Sequence, residues 1–203
     1  MGLISAASTI FDAGSMSAGF GGSMTFIKKL TASSSATLSF VDGTDGVVLD
    51  DTYKEYVFTF KDIHPATDNV HFTFQGNAAG GSGYNETITS TAFYYQHKED
   101  GTDTELAYES GSDQAQGTAF QRLGQSVGND NDQCIVGSLR LFNPSSTTFV
   151  KHFIGVTNIY HTSDYSVGLR TAGYFNTTLA VNAFQFKMSS GNFDGDICLY
   201  GIA

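Results

Sequence analysis

The feature that most constrains this chain is a two-residue alternation of large apolar side chains, repeated over short segments that are separated by turn residues. Tyr56, Phe58 and Phe60 alternate with Val57, Thr59 and Lys61, and Val70, Phe72 and Phe74 alternate with His71, Thr73 and Gln75. Leu38 and Phe40 follow the same rule, as do Ile135, Leu139 and Leu141, and Phe184, Phe186 and Met188 alternate with Gln185, Lys187 and Ser189. Successive side chains of a strand point to opposite faces, so each segment offers one apolar face to a core. A helix would need apolar residues three and four apart, and no segment keeps that period long enough. The polar stretch from Thr102 to Ala119 fits neither period clearly.

Residues that tolerate left-handed backbone fall between these segments: Asp42-Gly43, Asp45-Gly46, Gly80-Gly81-Ser82-Gly83, Asp100-Gly101, Gly128-Asn129-Asp130, Asn143-Pro144 and Gly191-Asn192. The spacing predicts about ten strands in an all-β antiparallel β-sandwich. The 17 Phe and 10 Tyr supply most of the large apolar volume for two facing sheets. Between Thr147 and His161 both faces are apolar, with Phe149, Phe153 and Ile159 on one and Val150, Ile154 and Val156 on the other. That marks a central strand or a subunit contact.

A chain of 203 residues of this composition fits one sandwich domain, placed at 25–203. Residues 1–24 are rich in small residues, with Gly14-Ser15-Met16 echoed by Gly22-Ser23-Met24, and bury too little apolar area to fold alone. They are expected to form an extended arm. Its apolar side chains, Ile10, Phe11, Met16, Phe20 and Met24, would fasten it to a neighbouring subunit or particle.

The formal charge of −10 is repelled by phosphate backbones and anionic membranes, so neither nucleic-acid binding nor membrane insertion is expected. Only 15% of residues are charged, and a neutral polar surface suits both burial between subunits and an uncharged soluble domain. The N-terminus lacks a basic segment followed by an apolar run, which reads as a chain without a secretory signal, made in the cytoplasm.

No catalytic pattern stands out. Gly80-Gly81-Ser82-Gly83-Tyr84 lacks the last glycine of a nucleophile elbow, and no phosphate-binding or dinucleotide-binding glycine motif occurs. His64, His71, His97, His152 and His161 lack metal-ligand spacing, and the acidic turns Asp42/Asp45, Asp130/Asp132 and Asp194/Asp196 match no calcium loop. Cys134 and Cys198 form no C-x-x-C pair. The expectation is a protein that is not an enzyme and has no cofactor, metal or catalytic residue. Tyr84, Tyr94, Tyr95 and His97 are candidate ligand-facing residues on loops near Gly80–Tyr84 and Tyr94–Glu105.

The C-terminal stretch from Phe184 to Ile202, with Ser190-Gly191-Asn192 at a turn and Leu199-Tyr200-Gly201-Ile202 at its end, reads as a closing hairpin. It resembles the closing hairpin of jelly-roll virion proteins of tailed bacteriophages. Ile27–Ser35, Leu141–Thr148 and Gly173–Thr178 are similar to uncharacterised marine-phage structural proteins. The resemblance implies a jelly-roll-like fold and a virion component, either a tail fibre or appendage or a capsid decoration subunit. It also implies a homotrimer that contacts other virion proteins. Binding to a host-surface glycan is the alternative function, and polysaccharide degradation a more distant one.

Overall fold

The structure is a computed structural model. It describes residues 24–203, together with the backbone of 3–5, 8–12 and 15–16. The described residues are all-β, with no helix. Strands β1 (Leu3–Ser5), β2 (Ser8–Asp12) and β3 (Ser15–Met16) pair only with one another, antiparallel. Side-chain anchoring by Ile10, Phe11, Met16 and Phe20 lies outside the described residues. Met24 opens β4 (Met24–Ser35) and is therefore part of the sandwich.

Thirteen strands form two antiparallel sheets. The small sheet has the order β11 (Gln121–Arg122), β7 (Phe72–Ala78), β15 (Val181–Met188), β5 (Leu38–Val41). The large sheet begins at its outer edge with β10 (Gln114–Gly117) and continues through β8 (Ile88–Lys98), β14 (Tyr165–Phe175) and β13 (Lys151–His161). It then runs through β12 (Ile135–Phe142), β6 (Glu55–Pro65) and β16 (Phe193–Ile202) to β4. Strand β9 (Thr104–Tyr108) shares the outer edge of β8 with β10.

The pairings are nested. β4 pairs β16, β5 pairs β15, β6 pairs β12 and β7 pairs β11, all antiparallel. A two-stranded ribbon folded on itself and rolled into two sheets pairs its strands in this way, which is the jelly roll. Two insertions widen the sheet that carries β4: β8–β10 enter between β7 and β11, and β13–β14 between β12 and β15. The sequence expectation of about ten strands fell short because the polar segment Thr102–Ala119 forms β9 and β10. Both are edge strands, whose alternation is weak because little of either is buried.

The core is aromatic and spans the two sheets. Phe58 of β6 meets Phe40, Phe184 and Phe186 of the small sheet at ring-centroid distances of 5.1, 6.0 and 5.0 Å. Phe74 of β7 meets Phe153 of β13 edge-on at 5.1 Å. These rings are fully buried, and each contributes about 1.5–3 kcal/mol by leaving water. A bulge after Phe60, with Asp62 at φ 51°, shifts the register so that Ile63 also points inward.

Two expectations are corrected. The stretch from Phe184 to Ile202 is not a hairpin, because β15 lies in the small sheet and β16 in the large one. The turn, with Gly191 at φ 74°, carries the chain across the core. A hairpin and such an arch share one apolar alternation, since in both Phe184, Phe186 and Ile197, Leu199 must face the core. Phe149, expected on one face of the stretch Thr147–His161 together with Phe153 and Ile159, precedes β13 and is 66% exposed while those two are buried.

Candidate functional site

One side of the large sheet packs on the core, and among the described residues the other carries side chains that reach the surface. The alternation of β13 shows the division: Phe153, Gly155, Thr157 and Ile159 are buried, whereas His152, Ile154 and Asn158 are exposed. In register across the outer face stand Val57, Arg140, Ile154, Ala172 and Thr91 in one row, and Thr59, Ser138, Val156, Arg170 and Phe93 in the next. Ile154, Phe93, Tyr95 and Val136 are all at least 40% exposed on this face. Leu106 and Tyr108 of β9, opposite Tyr95 and Phe93, extend it to the sheet edge.

The part of this face built by β8, β13 and β14 carries a single formally charged side chain, Arg170. Charges gather toward the other edge, where Lys29 pairs with Asp196 at 3.2 Å and Arg140 with Glu55 at 3.1 Å. A groove of about 520 Å³ crosses the apolar part, lined by Thr89, Thr91, His152, Ile154, Ala172 and Tyr174. His152 and Tyr174 pack against each other at its end, with ring centroids 5.6 Å apart. This surface can bury apolar area against another protein surface.

Tyr94, Tyr95 and His97 lie on β8 and not in a loop, which corrects the expectation, because the run Phe93-Tyr94-Tyr95 suits a pleated strand. Their neighbours in sequence point to opposite faces, so Tyr95 and His97 are exposed on the outer face while Tyr94 is turned the other way. Tyr94 donates to Glu105, and this bond to a carboxylate pushes the phenol up to about 12. Tyr84 stands in the β7–β8 loop beyond the Ile88 end of the strand, about 20–30 Å of strand away from the others. The structure does not bring these four residues together.

Among the described residues no three His, Cys, Asp or Glu side chains converge as metal ligands. Carboxylates of the acidic turns serve the fold: Asp42 accepts from the Leu49 N–H, Asp194 from the Ser34 N–H, and Asp196 from Thr31 and Lys29. Cys134 and Cys198 are free thiols, and burial pushes the Cys134 thiol up.

Sequence reading missed a second feature, a polar cleft on the outer side of the small sheet lined by His71, Ser112, Arg122 and Lys187 among others. Its residues come from separate segments, and no local spacing marks them. The chain as a whole matches no protein-family model, no curated protein and no solved structure.

Proposed function

We propose that this chain is a non-enzymatic structural subunit of a bacteriophage virion that assembles through the uncovered outer face of its large sheet, aided by the N-terminal arm. The observation that carries the reading is that face: a groove and exposed Phe93, Tyr95, Val136 and Ile154 with one formal charge among the outward residues of three adjacent strands. Contiguous apolar surface of this kind is a sign of an interaction site. Removing it from water favours association at about 25 cal/mol per Å².

Two further observations support the reading. Jelly rolls are frequent in capsid and lectin domains, a fold-level analogy that fits a particle subunit. The expectation of a phage virion component drawn from the C-terminal stretch agrees with this reading, and the arch there closes the jelly roll. A ring of copies related by three-fold symmetry would cover the same face on each subunit.

The test is made on purified particles that encode the chain. Mass spectrometry and an electron-microscopy map should find it at stoichiometric copy number, with the outer face of the large sheet against a neighbour. Absence from the particle, or a position that leaves this face in solvent, would contradict the proposal.

A further inference from the structure

The small sheet carries a site of different chemistry on its own outer side. In register, Thr73 of β7 stands between Arg122 of β11 and Lys187 of β15, so two cationic side chains rise from strands on either side of β7. The segment between β9 and β11 crosses from the large sheet to the small one and closes over them. Together they enclose a cleft of about 360 Å³, within the range of small-ligand sites.

Internal hydrogen bonds hold the covering segment. Buried Gln121 donates to the Ser112 carbonyl at 2.6 Å and accepts from Ser90, while the amide of buried Gln75 contacts the carbonyls of Glu86, Thr118 and Ala119 at 3.0–3.2 Å. The cleft is therefore built on fixed walls.

Two cationic donors stand in the lining. Neither Arg122 nor Lys187 has a carboxylate within ion-pair distance among the described residues, although acidic residues outnumber basic ones 20 to 10 in the chain. Lys187 Nζ lies 4.1 Å from the centroid of the Phe120 ring. His71 Nδ1 accepts from the Ser126 N–H at 3.1 Å, which leaves the proton of the neutral ring on Nε2 as a donor. Ser112 is only 1% exposed, and its Oγ has no hydrogen-bond partner. A buried hydroxyl left unpaired costs free energy, which a bound acceptor would recover. Acceptors also line the cleft: Asp113, whose Oδ2 takes the Tyr108 hydroxyl at 2.6 Å, and Gln114, whose buried Oε1 has no hydrogen-bond partner.

We infer that this cleft binds a carboxylate-bearing saccharide, with the carboxylate on Arg122 and Lys187 and ring hydroxyls shared between Ser112, His71 and Asp113. A planar guanidinium matches a carboxylate by two parallel hydrogen bonds. An acidic peptide fits less well, because its repeated carboxylates would meet Asp113 and the surrounding negative surface. The site lies on the sheet opposite the assembly face and does not depend on the assembly reading.

The test is calorimetric titration of the whole protein with a glucuronate-containing tetrasaccharide, its carboxyl-reduced neutral counterpart and inorganic sulfate. The acidic saccharide should bind, and the neutral one at least tenfold more weakly. R122Q and K187Q should each lower affinity at least tenfold, with K61Q, on the other sheet, unchanged. S112A removes only the unpartnered hydroxyl, should keep the fold, and should lower affinity severalfold. Equal binding of the neutral sugar, no binding of the acidic one, sulfate binding as tightly as the saccharide, or full affinity in folded S112A and K187Q would each overturn the inference.

Discussion

The ring of Tyr95 lies across Gly168, its register partner on β14, so closely that a Cβ at position 168 would collide with the ring. The glycine is there for the ring to cover, a device that restores packing over a bare stretch of strand. It also fixes Tyr95 flat on the face proposed for assembly. Replacing Gly168 with Val should lift the ring and lower stability by about 1–2 kcal/mol, at the low end for overpacking because the ring can swing toward solvent. Urea unfolding measures the loss. In a Y95A background the same replacement should cost far less, and an equal cost in both backgrounds would show that the contact does not matter.

Gln75 is fully buried, and its amide serves three carbonyls of the segments flanking β8 and β11. Gln75→Leu keeps the approximate volume and leaves those carbonyls without their donor. A loss of about 1–3 kcal/mol in urea unfolding is expected. Hydrogen exchange should rise first in residues 109–120, which the amide ties to the small sheet.

Stability should fall on mild acidification. Burial pushes the imidazoles of His71 and His161 below their usual 6.5, and the Arg122 guanidinium adds to the effect at His71. As pH falls through 6.5 the unfolded chain takes up these protons first. The contribution of the neutral rings is thus complete above 6.5 and is lost as pH falls through the lowered values. Tm measured from pH 8 to pH 5 should decline through this window. His71→Asn with His161→Asn should flatten the decline, since an Asn oxygen can accept the backbone N–H that each Nδ1 now accepts.

Both thiols are free, and burial holds the Cys134 thiol up, with Asp62 and Asp132 adding to it. An aromatic disulfide reagent at pH 8 should titrate two thiols per chain after unfolding. In the native protein Cys134 should react much more slowly than in the unfolded chain, because the thiolate is the reactive form. Equal native and unfolded rates for a C198S variant would contradict this.

The sandwich was legible because its core strands obey the two-residue period without interruption: Tyr56, Phe58 and Phe60 in β6, Phe72 and Phe74 in β7, Phe184 and Phe186 in β15. Assignment of strands to sheets was not legible. Phe186 and Leu199 are both buried in the core from opposite sheets, yet the same spacing would serve neighbours within one hairpin. Leu106 and Tyr108 were hidden in a polar segment because an edge strand buries too little to impose alternation on its outward residues. The doubly apolar stretch from Thr147 to His161, read as a central strand or a subunit contact, contains β13, an inner strand of the large sheet with Ile154 exposed on its outer face. The cleft was invisible for a different reason: residues 71–73, 111–122 and 187–189 meet only through the nested pairing of β7, β11 and β15.

The central claim is that the outer face of the large sheet is an assembly surface, and sedimentation velocity over a range of protein concentrations tests it most directly. The protein is expected to sediment as a trimer, and F93D with I154D to sediment as a monomer whose circular dichroism still reports a folded β-sandwich. A protein that remains monomeric at every concentration, or a trimer that survives both substitutions, would contradict the account.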